Sequence, residues 1–202
     1  MKIIVFNSSH LDKVTELHLW AFKEHLNVLL GKRYIRAFLT WFIKADGTVN
    51  VVGIDDNEQI AGYIVGAPWG YQKQMNKKLL PVATVEMIKR PWIFFHKKIL
   101  QSIWLRSKTM LGLNKFIETT REKYSGKIIS LVGIGVFEQA IGSGIAPLMM
   151  DQFIELAIRK NYAYARLSVY KSNRRARKFY EKMGWAPEES NTAVMGYYKK
   201  LQ

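Results

Sequence analysis

Val136-Phe137-Glu138-Gln139-Ala140-Ile141-Gly142-Ser143-Gly144-Ile145-Ala146 joins one apolar run to another through two glycines, and its reading decides the fold. Upstream, Ile128 to Phe137 is strongly apolar and follows Gly126, which predicts a buried strand. Downstream, Ile145, Met149, Phe153, Leu156 and Ala157 share one face of a helix. Pro147 falls in the first turn of that helix, where no internal N–H bond is lost. Strand end, glycine turn and helix start bring unpaired backbone N–H groups to one place. The positive end of the helix dipole adds to them, and no side chain keeps an anion away. This is a pyrophosphate cradle in physical terms, although a Gly-x-Gly turn also serves as a plain tight connection. No Gly-Lys-Ser/Thr follows, so it is not a P-loop, and the third glycine of a dinucleotide fingerprint is missing.

The pattern stays clear toward the C-terminus. Ala163, Ala165, Leu167 and Val169 alternate with Tyr162, Tyr164, Arg166 and Ser168, which is strand periodicity. Asn173 opens a helix on which Ala176, Phe179, Tyr180 and Met183 share a face, and Gly184 suits its stop. Thr192 to Lys199 reads as a last strand. Toward the N-terminus, Ile3 to Phe6 reads as a strand, with Ser9 as N-cap of a helix to about Lys23. A second helix is expected over Tyr34 to Ile43. Asn50 to Asp55 and Gln59 to Pro68 form an antiparallel pair around Asp56-Asn57-Glu58. Residues 69–127 predict helices broken near Pro81, Pro91 and Gly112. The order gives a single α/β domain over residues 1–202, helices packed on a mixed sheet.

Composition bounds the function. About half of the 202 residues are apolar (49%) and 23% are charged, which supports a real core and excludes disordered and collagen-like chains. No stretch approaches the roughly 18 to 20 apolar residues of a membrane span. There is no cysteine, hence no disulfide framework, thiolate zinc site or cysteine nucleophile, and a cytoplasmic location is expected. The net charge of +15 is unevenly spread. Residues 1–71 carry 7 basic and 7 acidic side chains, residues 72–127 carry 13 and 3, and residues 128–202 carry 11 and 6. Such a field favours an anionic partner: nucleic acid, acidic lipid or a phosphorylated small molecule.

The glycine turn and the later Asn173-x-x-Ala176-x-x-Phe179-Tyr180-x-x-x-Gly184-Trp185, in this order and spacing, resemble the GNAT superfamily of acetyl-CoA-dependent N-acyltransferases. The resemblance covers about residues 128–186 and implies the family's mostly antiparallel mixed sheet flanked by helices. It also implies acetyl-CoA as co-substrate, with no metal. By that likeness Gly135, Val136 and Phe137 would pair their backbone with the pantetheine arm. The amides of Gly142, Ser143, Gly144, Ile145 and Ala146 would hold the pyrophosphate. Asn173 would contact the cofactor arm, beside Ala176 and Phe179, and Tyr180 would be the general acid for the departing thiolate. Ile141 stands where the family usually has Arg or Gln, which implies weaker phosphate contact. Arg174, Arg175 and Lys178 would meet the outer phosphates. Each also has a plainer structural reading: Tyr180 as a core tyrosine, Asn173 as an N-cap, Ala176 and Phe179 as packing groups.

No motif fixes the base that must deprotonate the amine. Glu86, the only carboxylate between Glu58 and Glu118, is the first choice, followed by Glu138 near the cradle and His96. The insertion at 69–127 is expected to shape the acceptor site. Its run Lys89-Arg90-Pro91-Trp92-Ile93-Phe94-Phe95-His96-Lys97-Lys98 mixes cations with aromatics. A cationic pocket suits a small anionic acceptor such as an amino sugar nucleotide. The stretch Leu29 to Ile35 loosely resembles acyltransferases of sugar and surface-polysaccharide chemistry. The expected partners are therefore acetyl-CoA and a small amine, not nucleic acid, for a monomer or homodimer. Peripheral contact with an acidic membrane stays open. So do a protein or peptide acceptor and a non-catalytic basic binding module on the same scaffold.

Overall fold

Tyr63 and Val65 face one way from the middle of the chain's central sheet, Ile64 the other, and each side is capped by its own set of helices. The computed structural model describes residues 1–23, 25–92, 125–188 and 192–202. Its strands are β1 (Lys2–Val5), β2 (Val49–Ile54), β3 (Ile60–Pro68), β4 (Ile128–Val136), β5 (Tyr164–Tyr170), β6 (Ala186–Glu188) and β7 (Val194–Lys200). They form one seven-stranded sheet in the order β1-β2-β3-β4-β5-β7-β6. Every neighbouring pair is antiparallel except β4–β5. On one face lie α1 (Leu11–Ala21), α2 (Leu26–Leu29), α3 (Lys32–Lys44) and α4 (Gln72–Lys89), whose apolar sides meet Val52, Tyr63, Val65 and Ala67. The other face carries α5 (Ile145–Arg159) and α6 (Arg174–Lys182), over Val51, Ile64, Ile129, Leu131, Ala165 and Leu167. The expected sheet and flanking helices are therefore present.

Several boundaries differ from the sequence reading for local reasons. Asn7, not Ser9, is the first cap: its Oδ1 accepts from the Ser9 N–H at 2.9 Å, opening a single 3-10 turn that leads into α1. The second helix begins two residues early, at Lys32, because Gly31 supplies a positive φ of 85° at its N-cap. Pro81 does not break α4, which runs through it. The residue is exposed, and so is Lys77, whose carbonyl loses its partner and faces water. The strand expected over Ile128 to Phe137 ends at Val136. Of the expected basic insertion, α4 and residues up to 92 are described. His96 and the rest of the run to Lys98 lie outside the described residues.

The glycines of β2 and β3 set how close α5 can come. A Cβ built on Gly53 would lie 2.6 Å from Ile145, one on Gly62 2.5 Å from Met149, and one on Gly66 2.5 Å from Phe153. Three strand positions without side chains thus receive three successive turns of α5, fixing its height and rotation over the sheet. The added methyl in Gly66→Ala meets the Phe153 ring and, at 3.1 Å, the Ser130 carbonyl. Urea unfolding of Gly66→Ala is expected to show a loss of about 1–3 kcal/mol from overpacking.

Candidate active site

The sheet opens at its centre. Parallel pairing of β4 with β5 covers Ile128 with Tyr164, Ile129 with Ala165 and Ser130 with Arg166, and stops there. Beyond this rung β4 stays with β3 to Val136, while β5 stays with β7 to Tyr170. The register of β3 with β4 also slips between Val65 and Gly66, which leaves Val132 as an extra, bulged residue. Past the bulge, the Phe137 N–H is donated to the Ala61 carbonyl at 2.9 Å. By strand alternation Gly135 shares that side, so Ile134 and Val136 turn their N–H and C=O groups toward the gap. Of the three residues expected to offer a free edge, Val136 does so and Gly135 and Phe137 face β3. Ile134 takes their place. Only the pairing partner reveals this parity, so the sequence carried no signal for it.

The cradle lies just past the end of β4. After one 3-10 turn (Glu138–Ala140), Gly142 and Gly144 adopt φ of 87° and 91°, and nothing lies within 4 Å of a Cβ built on either. The Ser143 hydroxyl donates to the Ala140 carbonyl at 2.8 Å and accepts from the Ile145 N–H at 3.3 Å. Ser143 N–H is likewise turned back, to Ala140 at 3.3 Å. Among the described residues the N–H groups of Gly142, Gly144 and Ala146 have no partner. Three free donors at the start of a fifteen-residue helix, on open backbone, fit a phosphate group. Ile141 is 40% exposed, uses its own N–H on Glu138, and adds no polar group.

Helix α6 brings the second motif alongside. Asn173 caps it, accepting from the Ala176 N–H at 3.0 Å, which leaves its NH2 for other contacts. Ala176 and Phe179 are half-buried against the α5-side core. Tyr180 is buried, with ring centroids 5.5 Å from Phe179, 6.1 Å from Trp185 and 5.9 Å from Tyr197. Its hydroxyl makes no hydrogen bond among the described residues, and burial pushes its pKa up to about 12. Arg174, Arg175 and Lys178 are exposed.

On the opposite face of β4 lies a pocket of about 270 Å³. Its floor is Val132 and Gly133, at the bulge. Its walls are the rings of His18, Phe22, His25, Phe38 and Tyr71, with Met75 and the amides of Asn27, Gln72 and Asn76. Among the described residues that line it there is no Lys, Arg, Asp or Glu. His18 is buried between Phe22 (4.7 Å) and Phe38 (5.5 Å), and its Nδ1 lies 2.5 Å from the Tyr63 hydroxyl. Burial, with a smaller push from His25, pulls the His18 pKa down to about 4. His25 is exposed, its ring 5.0 Å from Phe22 and 6.3 Å from Tyr170 at the end of β5.

A profile of the acetyltransferase (GNAT) family matches residues 11–185. The chain belongs to that family. No curated protein sequence matches it. Among solved structures, SsHAT superposes with a TM-score of 0.67 at 14% identity, covering 100% of this chain and 98% of its own. A GNAT-family acetyltransferase from Staphylococcus aureus Mu50 gives 0.60 at 13%, covering 100% and 99%. Arabidopsis thaliana NAA60 in complex with acetyl-CoA gives 0.56 at 12%, covering 98% and 95%. At such identities the likeness is one of fold. Family membership makes the protein an acyltransferase of a fold that binds acetyl-CoA, and the free amides of the cradle suit a phosphate group.

The GNAT domain does not use the sequence-predicted carboxylates as its pocket walls. Glu86 is 3% exposed and bound to cations: Arg90 at close range, Arg33 at 3.8 Å and Lys89 at 3.9 Å. Arg90 also donates to the Leu30 carbonyl at 2.7 Å, so the group ties the end of α4 to the start of α3. A carboxylate so engaged is an anchor rather than a base. Glu138 is exposed in the turn before the cradle, away from the pocket lining. In the sequence neither pocket histidine stands out, since His18 falls within an apolar helix and His25 in the loop after it.

His18 has a consequence for stability. Folded, it stays neutral down to about pH 4, whereas the unfolded imidazole takes up its proton near 6.5. Its contribution is complete above pH 6.5 and is lost as pH falls from 6.5 toward 4. The size of this acid-side loss is about 3 kcal/mol. Denaturant unfolding of His18→Gln across this window is expected to give a flatter pH dependence than the parent protein.

Proposed function

We propose that the protein moves an acetyl group from acetyl-CoA to the primary amine of a small acceptor, by direct attack within a ternary complex. One observation carries this reading: a single stretch of β4 serves both sites. Val132 and Gly133 floor the aromatic pocket, while Ile134 and Val136 turn their main chain into the gap that leads to the cradle. An amine in the pocket and a strand-like ligand along the gap would therefore meet at the bulge.

Acetyl-CoA, when bound, supplies a thioester carbonyl as the electrophile. The rest falls to the chain. The free amides at Gly142, Gly144 and Ala146 hold phosphate, and Ile134 and Val136 pair with the amide-bearing arm. Tyr180 is the proposed general acid. Its raised pKa keeps the proton on Oη at neutral pH, available to a departing thiolate. His25 is the proposed proton acceptor for the amine, being the exposed imidazole of the pocket. His18, with its pKa near 4 and Nδ1 on Tyr63, instead keeps a neutral wall. The ring faces around it favour an ammonium ahead of deprotonation.

The lining shifts the acceptor away from the amino sugar nucleotide expected from net charge. A diphosphate needs cations, and none lines the pocket among the described residues. Lys73 and Lys77 of α4 and Arg174, Arg175 and Lys178 of α6 are exposed. A compact amine with an apolar or neutral body suits these walls better.

Thermal unfolding with saturating acetyl-CoA, followed by an amine screen read by thiol release, tests the reading. Stabilisation of about 2.7 kcal/mol is expected at 100 times the dissociation constant. No stabilisation of the folded protein would overturn it. In Tyr180→Phe, kcat is expected to fall about 100-fold, within the range for a lost general acid. CoA affinity, read by titration, is expected to stay within about threefold of the parent. An unchanged kcat would remove Tyr180 from the chemistry.

A further inference from the structure

The last rung that joins β4 to β5 carries polar groups that the mechanism above does not use. Ile129, Leu131, Ala165 and Leu167 pack toward α5, so Ser130 and Arg166, paired across the two strands, face the pocket side. Trp69, at the end of β3, lays its ring 4.5 Å from the Arg166 guanidinium carbon. On its other side Arg166 Nη2 donates to Glu188 Oε2 at 2.9 Å. The three residues are held firmly. Ser130 is 8% exposed and the Arg166 side chain 12%.

Yet Ser130 Oγ, Arg166 Nε and Trp69 Nε1 are buried without a hydrogen-bond partner among the described residues. All three can donate, and two of them can do nothing else. An unsatisfied buried group costs about 1–3 kcal/mol, so three at one place call for a shared acceptor. We propose that Trp69, Ser130 and Arg166 form the second half of the acceptor site and take a carboxylate carried by the amine substrate. A carboxylate offers about four lone-pair positions and strengthens each bond by its charge. Glu188 takes Nη2 of the guanidinium and leaves Nε, with Ser130 Oγ and Trp69 Nε1, for one compact acceptor group rather than a diphosphate.

Position sets the substrate's length. Ser130 precedes the pocket-lining Val132 by two places on β4, and Trp69 precedes the pocket-lining Tyr71 by two in the turn that follows β3. Two strand positions span about 7 Å. An amine at the bulge and a carboxylate at this corner are thus separated by an extended chain of several carbons. The inference rests on the reading of the pocket as the acceptor site, and it adds the substrate class: ω-amino carboxylates.

Calorimetric titration of the CoA-saturated protein with 5-aminopentanoate, 5-aminopentanamide and pentylamine tests it. The carboxylate is expected to bind at least about tenfold more tightly than the amide, equivalent to 1.4 kcal/mol. Ser130→Ala removes a hydroxyl with no partner among the described residues, so it is expected to fold with undiminished stability while that ratio falls toward one. Arg166→Gln is expected to abolish the preference. Equal affinities for the three probes, no binding of any of them, or a ratio untouched by Ser130→Ala would overturn the proposal. Acetyl-CoA stabilisation and turnover of pentylamine with no carboxylate preference would sink this corner alone. Loss of CoA binding itself would sink the acetyl-transfer reading.

Discussion

β4 and β5 hold each other over three residue pairs and then separate, and the rest of the site depends on that separation. Parallel strands must be joined by a crossover, here the cradle and α5, so the two run side by side from a common start. The bulge at Val132 adds local twist to β4, and β3 keeps the strand to Val136. β5 is drawn the other way by its long pairing with β7, from Tyr164 to Tyr170. What remains is an edge inside the sheet, with main-chain donors and acceptors at Ile134 and Val136 facing no strand. An unpaired edge is ordinarily a liability. Sunk between two layers of helices, it can be paired by an extended ligand that enters the gap and by little else.

The cradle is placed by contacts far from it. Gly142 and Gly144 shape the turn, but the position of its free amides follows from where α5 lies. Ile145, Met149 and Phe153 are seated on Gly53, Gly62 and Gly66, and a helix so seated cannot slide or roll without driving side chains into backbone. The first turn of α5 is therefore rigid relative to β4. That is the condition for donors on a loop and edge groups on a strand to act on one ligand.

Legibility follows the range of the interactions involved. The cradle, the Asn173 cap and the inward face of α6 depend on residues within a few positions of one another, and spacing alone revealed them. Alternation over residues 162–169 marked β5 for the same reason. The bulge at Val132 and the parity that favours Ile134 over Gly135 and Phe137 are set by β3, a distant segment, and leave no local trace. Glu86 shows the limit of composition. A lone carboxylate in a basic stretch stands out as chemistry, yet the same arithmetic makes it the natural partner of Arg90, Arg33 and Lys89. Pro81 misled because its cost depends on which face of α4 it occupies, and it occupies the solvent face.

Charge and pocket then have to be reconciled. A chain at +15 suggests an anionic acceptor, but the described pocket walls are aromatic and amide groups. Two inward guanidinium groups are matched by carboxylates, Arg90 by Glu86 and Arg166 by Glu188. The unmatched surplus among the described residues is on the surface, where Arg174, Arg175 and Lys178 stand on the first turns of α6. Surface charge of one sign raises the local concentration of an oppositely charged ligand and speeds its capture. The polyanion in this chemistry is the acyl donor, not the amine. A basic exterior with an uncharged pocket therefore divides the work consistently: the field gathers the donor, and the aromatic walls together with three buried donors select the acceptor.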